Sequence, residues 1–411
     1  MILPTFAGKL LTRSQLEAYH RALASSHRVA VRLQLLNPNE KVRAELAIAT
    51  PANGIGVTGG QVDVDTTGGN SQPTRQLTLS LLDPHRRFHL EPDSVADYGL
   101  FVGDLIRVFR GDYVSELGGW VWCPVITGPV TGFQNDYPEV QITAVGKESL
   151  LLDPYLTLSA VTATRGTKVT TAIKRVLEES GEGKIALGNL SARIGHRFNL
   201  PRLSQPWLAV HRLAANAGGR FPYYDGRGVL RLKLPGTKDP VYTFKHGAGG
   251  VLLQAPELAY DFTTFHNTAD VSGGTPKKTK KKVHVVETVA ASNPLSPGAL
   301  ARNGHPRHSV IVVDDSNILR RAQAIDRGRA AVAGGLLLGT DPSQSQFDTL
   351  PIPHLEELDL VRVQTEGGSI LLKMNRWTIP LDGDTMPVGL HRVQRWRARY
   401  RPTRRGRRHH K

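Results

Sequence analysis

The sequence predicts a mainly β fold with α+β insertions, and three observations lead to that prediction. Short stretches alternate apolar and polar residues between turn-forming segments, as antiparallel strands do. The apolar period changes to that of a helix after Gly166 and again after Pro206. A pattern of five residues at 104–108, Asp-Leu-Ile-Arg-Val, recurs at 359–363 as Asp-Leu-Val-Arg-Val. We therefore expect two regions rich in strands with helices between them.

Residues 1–27 are predicted to be an N-terminal helical segment. Ser14 and Glu17 have the spacing of a capping box, in which each side chain accepts from the other residue's backbone N–H, and the helix would end near Ser25. Strands follow from 28 to 158, and the alternation is clearest at 76–81. Several short strands separated by turns predict an antiparallel barrel or sandwich.

Residues 159–235 are predicted to form a small α+β domain. The first of its helices presents one apolar face, made by Val169, Ala172, Ile173, Val176 and Leu177. Pro206 begins the second helix, and a turn at Asp225-Gly226 connects the strands of a hairpin.

The remaining residues are predicted to form two further regions and a tail. Residues 236–345 are expected to be a β-rich domain with one helix, capped by Asp315 or Ser316. Residues 346–400 return to strands after the extended segment 351–353, and 401–411 form a basic C-terminal tail.

The net charge of +16 is concentrated in two short segments. Residues 392–411 contain ten Lys and Arg residues and no carboxylate, and 277–282 contains five lysines, so the rest of the chain is close to neutral. This distribution argues against a broad basic face for nucleic acid. The five lysines are typical of a solvated hairpin loop.

The C-terminal arginines leave two interpretations open. They could neutralise phosphates while Trp396 and Tyr400 stack on bases, or they could form the solvated end of a strand and a tail. This possible contact segment comprises Arg395, Arg397, Arg399, Arg401, Arg404, Arg405, Arg407 and Arg408.

Sequence patterns typical of catalysis or metal binding are not found. There is no G-x-S-x-G, P-loop or H-E-x-x-H pattern, and the single cysteine, Cys123, lies in an apolar stretch typical of inert thiols. Asp314 and Asp315 precede a predicted helix, where aspartates act as caps. We therefore expect no catalytic, cofactor or metal site and no enzymatic activity. Neither a membrane span nor a signal peptide is predicted, so we expect a protein made and used without export.

The order of these parts resembles the baseplate hub, or tail-tip hub, of tailed bacteriophages, a family that includes minor tail and tail-associated proteins. The matching segments lie in order across roughly residues 28–400. They are residues 76–84, 100–108, 127–130, 142–147, 165–167, 219–228, 350–355 and 359–363.

The resemblance implies two tube-like antiparallel β-barrels per subunit, at 28–158 and 346–400, flanking the α+β unit and the β-rich unit. Three subunits would form a pseudo-sixfold ring on the tail tube or the distal tail protein. The threefold face would then receive a central fibre or other tip proteins. Asp104, Arg107, Asp359 and Arg362 would mark corresponding strands of the two barrels, unless the repeated pattern is a coincidence between two amphipathic strands.

The resemblance also implies assembly in the host cytoplasm and a final location in the virion tail tip. The arginine-rich segment would then face the lumen, where the tape-measure protein, DNA or an acidic neighbour would meet it. Many relatives carry a peptidase, lysozyme or fibre extension that this sequence lacks, so cell-wall activity is expected from other tip proteins. Two alternatives stay open: a tip-associated cell-wall hydrolase, and a nucleic-acid-binding protein that acts through its C-terminal arginines.

Overall fold

The computed structural model describes residues 4–392 with gaps, and these residues form two compact units. One unit lies within residues 1–259 and 340–392, and the other lies within 260–339. The gaps are residues 26, 49–55, 67–71, 87, 90–97, 101–102, 153–158, 196, 216, 218, 235–238, 248, 255–259, 262–264, 277–278, 316–317, 336–338, 341–345, 366–367 and 384.

Strands dominate the described residues, which confirms the predicted mainly β fold. Up to residue 152, the elements are β1 (Thr5–Phe6), β2 (Lys9–Leu10), α1 (Arg13–Leu23), β3 (Val29–Leu36), β4 (Val42–Ile48), β5 (Gly56–Asp65), β6 (Arg75–Leu82), β7 (Phe88–His89), β8 (Tyr98–Gly99), β9 (Leu105–Val114), a 3-10 turn (Ser115–Leu117), β10 (Gly119–Asp136), β11 (Glu139–Val145) and α2 (Ser149–Leu152). They continue with β12 (Val161–Ala163), α3 (Val169–Glu179), β13 (Ile185–Ala186), β14 (Phe198–Leu200), α4 (Pro206–Ala215), β15 (Phe221–Tyr224), β16 (Leu230–Lys233), β17 (Tyr242–Lys245) and β18 (Tyr260–Asp261). The last are β19 (Thr268–Gly273), β20 (His284–Thr288), β21 (Val310–Asp315), α5 (Arg321–Gly335), β22 (Gly339–Thr340), β23 (Gln346–Thr349), β24 (Leu360–Thr365), β25 (Gly368–Pro380) and β26 (Met386–Arg392).

One large sheet organises the first unit, with the strand order β17-β24-β25-β5-β6-β11-β10-β9-β3-β4. Strands from both predicted barrel regions belong to it, and among the described residues it does not close into a barrel. Strand β25 joins the two regions, because it is long enough to pair with a strand of each. Its first half pairs with β24, where Leu360 lies opposite Lys373, and its second half pairs with β5, where Val64 lies opposite Trp377.

The interior of this sheet follows from the alternation of its sequence. In β6, Leu77, Leu79 and Leu81 are buried and lie on one face, because successive strand residues point to opposite sides. They belong to one apolar core together with residues from β24, β25 and β26, among them Trp377. The two strand-rich regions of the sequence therefore share a core as well as a sheet.

Helix α1 begins with a different capping box from the one expected. Thr12 and Gln15 form it, whereas Ser14 lies inside the first turn. The N–H of Thr12 donates to Gln15 Oε1 at 2.9 Å, and the N–H of Gln15 donates to Thr12 Oγ1 at 3.4 Å. This pair has the same spacing as Ser14 and Glu17 but lies two residues earlier, which is why the expected cap was wrong.

The region between α2 and β16 has its own apolar core. The predicted face of α3 is buried there against α4. Trp207 of α4 stacks on Tyr224 of β15, with ring centroids 5.8 Å apart. These aromatic rings fix the hairpin of β15 and β16 against the helix.

Three paired strands and one helix form the core of the second unit in its described residues. Strand β19 lies between antiparallel β20 and parallel β21, and α5 packs on them around Val271 and Ala324. The helix begins at Arg321, so Asp315 is not its cap: Asp315 ends strand β21, where its backbone pairs with Gly273. Ser316 lies outside the described residues.

Candidate functional site

Asp104 lies at the residue before strand β9, and its side chain is buried. Arg43 Nη2 donates to Asp104 Oδ2 at 2.6 Å, so the buried carboxylate has a cationic partner. The Asp104 carbonyl accepts from the N–H of Val130 at 3.2 Å. The residue therefore fixes the point at which β9 begins and β10 changes partner.

Asp359 occupies the corresponding place before strand β24 and is also buried. Lys233 Nζ donates to Asp359 Oδ1 at 2.5 Å, and the N–H of Glu356 donates to Oδ2 at 2.9 Å. The Asp359 carbonyl accepts from the N–H of Met374 at 2.9 Å. Both aspartates thus combine a buried ion pair with a backbone contact to the next long strand.

The two arginines of the repeated pattern have different surroundings. Arg107 donates from Nε to Thr127 Oγ1 at 3.0 Å and lies 3.6 Å from Glu40 Oε2. Arg362 is half-buried between Thr243 and Leu371 on the neighbouring strands. Its side chain forms neither a hydrogen bond nor an ion pair within the described part of the chain.

Around these residues, two sets of four strands have the same pairing scheme. The first set contains β6, β9, β10 and β11. Here β9 pairs with β10, β10 pairs with β11, and β11 pairs with β6. The second set contains β23, β24, β25 and β26. Here β24 pairs with β25, β25 pairs with β26, and β26 pairs with β23, which is the same scheme. We call these sets the first and second four-strand units.

The two four-strand units also share an irregularity in register. Leu105 lies opposite Pro129 in the first four-strand unit, and Leu360 lies opposite Lys373 in the second four-strand unit. One residue further along the long strand, a bulge begins at Val130 in β10 and at Met374 in β25. These are the residues whose N–H groups bond to Asp104 and Asp359, so the two bulges are at corresponding positions.

A buried ion pair connects the two four-strand units. Arg75 of β6 donates from Nε to Glu357 Oε1 at 2.8 Å and from Nη2 to Oε2 at 3.0 Å. Next to it, the Thr74 hydroxyl donates to Glu148 Oε1 at 2.6 Å, and burial raises the pKa of the Glu148 carboxyl. This cluster cannot be predicted from the sequence, because the paired residues are far apart in the chain and no local pattern marks them.

A second buried cluster attaches helix α1 to the sheet. The Tyr19 hydroxyl donates to Asp112 Oδ2 at 2.9 Å, and Arg110 Nε donates to Oδ1 at 3.1 Å. His27 Nε2 lies 3.0 Å from the same Oδ1, and this hydrogen bond raises the pKa of His27.

Burial raises the pKa of the Cys123 thiol, so the thiolate needed for nucleophilic attack is disfavoured.

The basic C-terminal segment lies outside the described residues, and so do Lys277 and Lys278. Of the remaining lysines in that run, Lys282 lies 3.9 Å from Asp314. In the described ranges, no group of three or more His, Cys, Asp and Glu side chains is arranged to hold a metal ion. The helices in those ranges are all too short or too polar to cross a membrane.

Comparison with solved structures identifies the fold. The 43 kDa tail protein of prophage MuSo2 from Shewanella oneidensis superposes with a TM-score of 0.57 at 14% identity, over 89% of this chain and 98% of that one. The tail protein of Neisseria meningitidis MC58 has a TM-score of 0.56 at 11% identity, over 88% of this chain and 96% of that one. No protein-family model and no curated protein sequence matches the chain. The resemblance to phage tail proteins is thus confirmed at the level of the fold.

Proposed function

We propose that this chain is the structural hub of a phage tail tip and works as a homotrimer. Each subunit would contribute its two four-strand units to a pseudo-sixfold ring. The ring would join the tail tube or the distal tail protein to a threefold central fibre or to other tip proteins. In this role the chain is assembled in the host cytoplasm, becomes part of the virion, and performs no catalytic step.

The repeated pairing scheme is the observation that carries the proposal. Three copies of a chain that contains one unit twice present six similar surfaces, while the assembly itself stays threefold. The shared bulge at Val130 and Met374 supports a duplication, because chance similarity of two strands does not reproduce an irregularity in register. The similarity to two tail proteins over almost their whole lengths supports a place in the tail.

Measurement of the mass of the purified full chain in solution tests this proposal. We expect three times the subunit mass, and averaged images of the particle along its axis should show six similar density features around a channel. A monomer at every concentration, or a ring with another subunit number, would contradict the trimer. Clearing of host cell wall by the purified chain would contradict the purely structural role.

The contact made by the C-terminal arginines, Arg395 to Arg408, stays a prediction. Within the proposed ring this segment would meet the tape-measure protein or DNA in the lumen. Removal of residues 393–411 should then abolish any salt-dependent DNA binding by the trimer. DNA binding that survives the removal would assign the contact to another surface.

A further inference from the structure

An open pocket of about 490 Å³ lies beside β3, β9 and β10 in the first unit. Apolar side chains, among them Leu10 and Phe109, form part of its wall. The wall also carries four cationic side chains, from Arg32, Arg107, Lys184 and Arg227. The pocket therefore combines positive charge with apolar surface.

Arg32 is the member of this set with unused hydrogen-bonding capacity. Its guanidinium carbon lies 4.0 Å from the ring centre of Phe109 and 4.9 Å from that of Trp122. Its Nε atom is buried without a hydrogen-bond partner, and the side chain forms no ion pair with any described residue. A guanidinium that is held by its face keeps its in-plane N–H groups available for an anion.

The strand register builds this arrangement into the sheet. Arg32 lies directly opposite Phe109 on β9, and Trp122 of β10 lies opposite Gly111. A Cβ atom at Gly111 would come within 2.5 Å of the Trp122 ring. Glycine at this position therefore gives the indole the space it occupies beneath the Arg32 guanidinium.

Two other cations around the pocket, Lys184 and Arg107, share one carboxylate. Glu40 Oε2 lies 2.5 Å from Lys184 Nζ and 3.6 Å from Arg107 Nη2, and Lys147 also pairs with the Glu40 carboxylate. Burial lowers the pKa of Arg107 and of Arg32, because the loss of solvent outweighs the favourable charge of nearby carboxylates. An incoming anion would supply the missing charge.

We propose that this pocket binds a carboxylate-bearing, partly apolar segment of a partner protein, with Arg32 as the principal donor to the carboxylate. The planar fork of a guanidinium matches a carboxylate through two parallel hydrogen bonds, and the apolar wall accepts a neighbouring aliphatic side chain. A nucleic acid fits less well, because Arg32 already covers a face of Phe109 and of Trp122 on which a base would stack.

Fluorescence anisotropy with labelled peptides and the full-length chain tests the proposal. The first probe is a short peptide of glutamate and leucine with an amidated C terminus, and the second replaces each glutamate by glutamine. A third probe, the glutamine peptide with a free C terminus, tells a terminal carboxylate from a side-chain one. An oligothymidylate of similar length tests for nucleic acid.

Arg28→Gln is the matched control for Arg32→Gln. The Arg28 guanidinium also lies over aromatic rings of this sheet, 4.3 Å from Tyr113 and 5.7 Å from Trp120, but it lines a different pocket. We expect the glutamate peptide to bind saturably and Arg32→Gln to weaken it about tenfold or more, while Arg28→Gln leaves the affinity within about twofold. Binding of the third probe alone would assign the site to a chain terminus.

Three results would overturn the proposal. They are the absence of saturable binding by either carboxylate probe, equal losses in the Arg28 and Arg32 variants, and oligothymidylate binding that Arg32→Gln abolishes. If Arg32→Gln does not fold, Lys184→Gln repeats the test at a side chain that is 40% exposed, and undiminished binding there would also overturn the proposal. The readout does not depend on the trimer, so its failure leaves the hub proposal untouched.

Discussion

Replacement of Arg75 by methionine is expected to destabilise the first unit strongly, because Glu357 would keep a buried charge without its partner. The Arg75 side chain is 2% exposed and that of Glu357 is 0% exposed. Although burial by itself lowers the pKa of Arg75, the paired Glu357 carboxylate raises it above its ordinary value. The Arg75 guanidinium therefore stays charged in the folded protein, and the paired Glu357 carboxylate compensates its charge.

The size of the effect follows from the contacts that are lost. Arg75→Met removes two hydrogen bonds to the Glu357 carboxylate and one, at 2.5 Å, to the carbonyl of Val125. Removal of one partner of a buried ion pair costs about 3–5 kcal/mol. With a urea dependence of about 2–3 kcal/mol per molar, the unfolding midpoint should fall by about 1–2.5 M.

Urea unfolding followed by circular dichroism measures this midpoint, and two further variants control it. The double variant Arg75→Met, Glu357→Leu removes both charges and should recover most of the lost stability, since apolar residues of similar volume replace buried ion pairs at little cost. Arg21→Met breaks an exposed pair with Glu116, in which the side chains are 61% and 50% exposed, and should leave the midpoint unchanged.

Two results would refute this reasoning. One is a shift for Arg75→Met no larger than that for Arg21→Met, which would mean that solvent reaches Glu357 in the folded protein. The other is a double variant, Arg75→Met with Glu357→Leu, that is as unstable as Arg75→Met alone. This would mean that the shape of the Arg75 side chain, and not its charge, stabilises the fold.

Three other changes test separate parts of the fold. Gly111→Ala places a Cβ atom 2.5 Å from the Trp122 ring and should lower the free energy of unfolding, measured in urea, by about 1–3 kcal/mol. The displaced indole should also alter the tryptophan emission, and unchanged emission would contradict the packing of Gly111 against Trp122. Burial raises the pKa of Glu148, so the contribution of this carboxyl to stability is full below pH 4.5 and is lost as the pH rises through the folded pKa. The urea midpoint of Glu148→Gln should therefore rise relative to that of the wild type between pH 4.5 and about pH 8. A difference between the two midpoints that does not change with pH would argue against a buried protonated carboxyl. The hydrogen bond to Asp112 raises the pKa of His27, so its contribution is full below pH 6.5 and fades as the pH rises through the folded pKa. His27→Gln should accordingly cost more in urea unfolding at pH 6 than at about pH 9, and equal costs would exclude a charged His27.

The local features of the fold could be predicted from the sequence because they depend on neighbouring residues. Alternation at 76–81 predicted a strand, and β6 spans Arg75–Leu82. The apolar face predicted for α3 is buried as expected. The expected helix caps were less accurate, since several polar residues with suitable spacing lie close together and only the backbone decides among them.

The pairing of distant segments could not be predicted in the same way. Alternation says which residues share a face, but it carries no information about the partner strand, so the joining of β25 to β5 was not foreseen. The pocket around Arg32 had one detectable signal. Gly111 interrupts strand β9, and glycine within a strand often marks the close approach of another group.

The repeated pattern around Asp104 and Asp359 reflects the role of the backbone more than that of the side chains. Both aspartates directly precede a strand and bond to the residue that starts a bulge, but the arginines three positions later have different neighbours. Beside Arg107 lies the antiparallel strand β3, whereas beside Arg362 lies the parallel strand β17. The cationic pocket that includes Arg107 therefore belongs to the first four-strand unit. In the proposed trimer, six similar backbones would then carry three such pockets, so a partner with carboxylates would bind with threefold rather than sixfold symmetry.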